Sequence, residues 1–71
     1  MNSQQFDHAS ACFDALVGAF GITAEAREIT NNDALTDEQA LHIILERRFG
    51  HLSDHDAYTA CAARYDVELP A

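Results

Sequence analysis

Apolar residues Phe6, Ala9, Phe13, Leu16, Val17 and Phe20 recur at steps of three and four, the period of one face of an α-helix rather than the alternation of a strand. The spacing predicts a first helix over about residues 4 to 20. Ser3 or Asn2 can cap its start, and Gly21 suits the left-handed residue just past its end, with Ile22 folding back toward Val17. Thr23 offers a further cap for a short helix over about residues 24 to 29, whose apolar contacts would be Ala26 and Ile29. The run Thr30-Asn31-Asn32-Asp33 consists of residues whose side chains bond their own backbone, so it reads as a loop.

A pattern then occurs twice. Leu35-Thr36-Asp37-Glu38-Gln39-Ala40-Leu41 and Leu52-Ser53-Asp54-His55-Asp56-Ala57-Tyr58 share the order Leu, hydroxyl residue, Asp, any residue, polar acceptor, Ala, apolar. In each, the hydroxyl stands where it can accept from the amide three residues on. Gln39 can reach back to complete a capping box, and Leu35 and Leu52 occupy the staple position before the cap. These are two helix starts, predicting helices over about residues 37 to 49 and 54 to 65. The first carries Ala40, Leu41, Ile43, Ile44, Leu45 and Phe49 over more than half its circumference and leaves a narrow polar strip of Gln39, His42 and Glu46, which suits a central helix. The second shows Ala57, Tyr58, Cys61, Ala62 and Tyr65 on one side. Val67 and Leu69 in the tail can lie across the core, with a strand pairing there as the alternative. The expectation is one all-α domain spanning residues 1–71, a compact bundle of three main helices and one short one.

Composition narrows what such a bundle can do. In 71 residues there are 12 acids against four basic residues, all arginine, for a net charge of −8. Glu25, Asp37, Glu38, Asp54 and Asp56 fall in predicted first turns, and Arg27, Arg47, Arg48 and Arg64 in or next to last turns, where helix dipoles favour each sign by about 0.3–1 kcal/mol. Asp7, Asp14, Glu28, Asp33, Glu46, Asp66 and Glu68 have no such role. Two cysteines make no disulfide framework, and no apolar run approaches a membrane span, so a cytoplasmic protein without membrane contact is expected.

Several chemistries fit poorly. The helices at 37–49 and 54–65 resemble a helix-turn-helix in outline, yet the second would bring Asp54 and Asp56 to the phosphates, which disfavours direct nucleic-acid binding. His8 and Cys12 share a helix face at the spacing of two metal ligands, and Cys61, His51 or His55 could join them. The set lacks paired knuckles, and the plainer reading makes both cysteines core residues, so no metal or other cofactor is expected. A disulfide between Cys12 and Cys61 is a weaker alternative. The Asn31–Glu38 segment lacks the glycine an EF-hand loop requires. His42 and Glu46 stand at i and i+4, where proton transfer is conceivable, but no nucleophile or oxyanion hole accompanies them and catalysis is not expected.

What remains is binding to another protein. Carboxylates spaced over a helical surface, such as Asp7, Asp14, Glu28 and Glu46, suit docking on a basic surface, as an adaptor or as an inhibitor that mimics nucleic-acid charge. Some small acidic inhibitors encoded by phages and mobile elements act in this way, an analogy of charge and size only. The alternative is a structural homo-oligomer, a homodimer in its simplest form. It would be joined through the small side chains of Ala11, Ala15, Gly18 and Ala19, which permit close approach of another helix.

Overall fold

The computed structural model describes the backbone of residues 3–70 and the side chains of residues 8–70. Its elements are α1 (Ser3–Leu16), α2 (Phe20–Thr30), α3 (Asp37–Phe49) and α4 (Asp54–Tyr65), with no strand among the described residues. The all-α bundle is as the pattern predicts, and α3 and α4 begin and end on the predicted residues. Thr36 accepts from the Gln39 amide at 3.1 Å while the Gln39 side chain accepts from the Thr36 amide at 3.0 Å, completing the capping box. Ser53 caps α4 more weakly, accepting from the Asp56 amide at 3.4 Å.

The boundary between the first two helices differs from the expectation. α1 stops at Leu16 rather than near residue 20, and the left-handed residue is Gly18, at φ +84°, not Gly21. The chain then re-enters helix at Phe20, so the predicted short helix is a full 11-residue α2 that contains Gly21 and Thr23. Thr23 caps nothing. It is buried, and its hydroxyl donates to Asp37 Oδ1 at 3.5 Å. The physical reason is burial. A straight helix running past residue 18 would carry Ile22 and Ala26 away from the face of Leu16, because 100° per residue rotates them out of register. The two axes meet instead at 69°, and Leu16, Ile22 and Ala26 all enter one core with Leu35, Ala40, Leu41, Ile44, Cys61 and Ala62. Full burial of Ile22 or Leu16 contributes about 1.5–3 kcal/mol each. The cost falls on Phe20, expected in the core stripe but 86% exposed at the start of α2, and on Ile29, which is 37% exposed.

α2 packs chiefly on α3, and α4 packs on both α3 and α1. The α2–α3 connection is held by Arg27, whose Nε and Nη2 donate to the Leu35 carbonyl at 3.3 and 2.8 Å. After α4, Asp66 takes the left-handed conformation at φ 57° and the Val67 amide donates to the Ala62 carbonyl at 2.8 Å. This turn lays Val67 and Leu69 against the core, as their position in the tail suggested.

Gly18→Ala separates the two placements of the break by sign. An added Cβ would meet only Asp37 Oδ2, at an ordinary 3.5 Å, so the penalty is conformational. Urea unfolding should show a loss of about 1–2 kcal/mol; inside a continuous helix the same change would add about 0.5–1 kcal/mol.

Candidate functional site

The face of α3 opposite its buried side forms one wall of a groove. His42, Leu45, Glu46 and Phe49 follow the i, i+3, i+4, i+7 spacing that lines up one helix face. Across from them stand Asp54, Ala57 and Tyr58 of α4 at i, i+3 and i+4, with Gly50 and Leu52 closing one end and Phe13 of α1 entering the floor. The volume is about 380 Å³, near the lower end of the roughly 300–1,000 Å³ common for binding pockets.

Phe13 organises this floor. Its ring lies 5.2 Å from that of His42, tilted by 47°, and 6.5 Å from that of Tyr58 in an edge-on arrangement at 70°. Both separations lie in the range where aromatic pairs attract, by about 0.5–1.5 kcal/mol beyond their buried area. Three helices are therefore tied together at the base of the groove. The Tyr58 hydroxyl titrates above its usual range because of burial, reinforced by the nearby Asp54 carboxylate and Cys12. It stays neutral at physiological pH, leaving a floor of aromatic and aliphatic carbon under a rim whose charges, Glu46 and Asp54, are both negative. No lysine, arginine, serine, threonine or cysteine lines it.

A second polar cluster joins α2, α3 and α4 on another side of the core. Glu25 forms an ion pair with Arg48, the one such pair among the described residues. The Tyr65 hydroxyl is buried beside the Glu25 carboxylate and the Arg64 guanidinium without a hydrogen bond of good geometry. Its ring packs so closely on α2 that a Cβ at Gly21 would come within 3.3 Å of Cδ1. Burial, and then the Glu25 charge, push the neighbouring Cys61 thiol up to about 11.

The residues singled out from the sequence are dispersed. Glu46 stands on the groove rim. Asp14 is exposed on α1 and lines a shallow depression with Ala11, Ala15, Glu68, Leu69 and Pro70. Glu28 is exposed on α2 and borders neither. The side chain of Asp7 lies outside the described residues. Of the small-residue face, Ala11 and Ala15 are half-buried, with the chain's own tail beside them, and His8 Nε2 stands 3.4 Å from the Pro70 carbonyl oxygen. Gly18 and Ala19 belong to the turn after α1 and do not extend that helix face, since the helix ends two residues before Gly18. Cys12 and His8 do share a face, with Sγ 3.9 Å from Nδ1, but no group of three His, Cys, Asp or Glu side chains converges among the described residues. No single helix among them is long and apolar enough to cross a membrane.

In the sequence Phe13 belongs to a core stripe, Asp54 to a helix start and Tyr58 to a small-residue face, and no local pattern states that the three meet. The available signal was the excess apolar arc of α3, wider than one packing partner needs. No protein-family model, curated protein or solved structure matches the chain.

The raised Cys61 value predicts slow chemistry and a defined alkaline weakness. Native Cys61 should resist alkylation at pH 8 and react only on unfolding, as intact-mass spectrometry would show. In the unfolded chain the thiol ionises near 9.0, in the folded one near 11. The folded state thus holds the proton more tightly, and stability present below pH 9 should decline as pH rises from 9 to 11. Denaturant midpoints across that window would measure it.

Proposed function

We propose that this domain is a protein-binding module that docks through its carboxylates on a basic surface of a partner protein, as an adaptor or an inhibitor. The observation that carries this reading is the excess of carboxylates that the chain's own arginines leave unpaired. Side chains are described for eleven of the twelve acids, all but Asp7. Glu25 meets Arg48, and the other ten are exposed. Arg27 is committed to the Leu35 carbonyl, and Arg64 lies over the Tyr65 ring, 5.6 Å from its centroid. Net charge of −8 on so small a domain favours the approach of cationic partners and repels nucleic acid. A protein groove that normally receives phosphate is a target such a surface could fill, and this is the inhibitor form of the reading.

Exposed charge pairs are screened over about 10 Å at 0.1 M salt. A partner captured with the full chain should therefore dissociate progressively as salt rises. The triple variant Asp14→Asn, Glu28→Gln, Glu46→Gln alters exposed side chains only and should fold normally, yet weaken binding about tenfold if each lost pair contributes a fraction of a kcal/mol. Salt-insensitive binding would defeat the proposal.

A further inference from the structure

We infer that the groove between α3 and α4 receives a short amphipathic, cationic helix of the partner protein, with apolar side chains seated on the floor and lysine or arginine side chains meeting Glu46 and Asp54. This deepens the charge-docking reading and rests on it. Three observations converge. The floor is formed by the rings of Phe13, Phe49 and Tyr58 and the side chain of Leu45, uncharged and apolar apart from the neutral Tyr58 hydroxyl, and each of these is only half-buried, so each still presents apolar surface. Both rim charges are negative and neither is paired among the described residues. The wall from His42 to Phe49 runs for eight residues, about 10 Å or two helical turns, which matches the reach of apolar anchors at i, i+3 and i+4 of an incoming helix.

Charge complementarity selects the occupant. An acidic or neutral apolar segment would fill the floor but leave Glu46 and Asp54 facing either like charge or nothing. A purely basic segment would satisfy the rim and leave the aromatic floor wet. Only a segment carrying both features uses the whole surface, and a helix delivers them on adjoining faces. The groove is too open to depend on burying charge, so its ion pairs avoid the desolvation that makes buried pairs costly.

The probe is a synthetic peptide of leucine and lysine, about 15 residues long so that it can become helical, with leucines on one face. A control peptide keeps the lysines and replaces each leucine with serine. Amide shifts of the labelled full chain report where each peptide sits. The leucine peptide should bind at least about tenfold more tightly than the control and shift Leu45, Glu46, Phe49, Leu52 and Tyr58 first. The double variant Glu46→Gln, Asp54→Asn changes exposed groups and should weaken it about fivefold. Equal binding of both peptides, with shifts spread over the surface carboxylates, would overturn the groove assignment and leave charge docking standing. Groove binding unaffected by salt or by the double variant would overturn the electrostatic half. Failure of both peptides to bind at low salt would overturn both.

Discussion

The bend at Gly18 is the constraint on which the rest of this small structure depends. A positive φ at one residue ends α1, turns the chain by 69°, and lets Leu16 and Ile22 enter the same core from different helices. Glycine is the residue that reaches this conformation without the penalty a Cβ imposes. The turn also leaves α2 with neither a side-chain cap nor an acid of its own in its first turn. Asp37, from the start of α3, lies close enough to compensate: its Oδ1 accepts from Thr23 and its Oδ2 stands 3.5 Å from where a Gly18 Cβ would be. One carboxylate thus serves its own helix start and steadies the neighbouring one.

Apolar packing around α3 does most of the holding. Ala40, Leu41 and Ile44 are fully enclosed, and the Glu25–Arg48 ion pair beside them is partly exposed, a setting in which ion pairs add little. Because the domain is near the size at which one core only marginally offsets chain entropy, the apolar arc of α3 cannot all be spare. Part of it is used on α2 and α4, and the remainder, at Leu45 and Phe49, opens into the groove. The same helix that stabilises the fold therefore supplies one wall of the groove, the one proposed above to meet a partner. Phe13 ties that wall to the rest of the bundle, because its ring from α1 packs against both His42 of α3 and Tyr58 of α4.

The chain itself determined the local structure wherever the cause was local. The Thr36–Gln39 capping box, the Ser53 cap and the apolar period of α3 and α4 depend on residues a turn apart, so their consequences were legible to the residue. The tail was readable for a similar reason, as Val67 and Leu69 alternate in a segment too short for a helix. The all-α class and the acidic surface follow from the same near-neighbour patterns and from composition. The first 30 residues were different, because Gly18 and Gly21 are equally able to end a helix. The tertiary structure decided between them: stopping at Gly18 buries Ile22 and Ala26 at the expense of Phe20, a gain that exists only once α3 is present to receive them. The groove was decided in the same way. Phe13 is far in sequence from Glu46 and Asp54, all three lie on different helices, and local periodicity cannot state which residues of separate helices will face one another; that depends on the bend at Gly18 and on which part of the α3 arc α2 covers first.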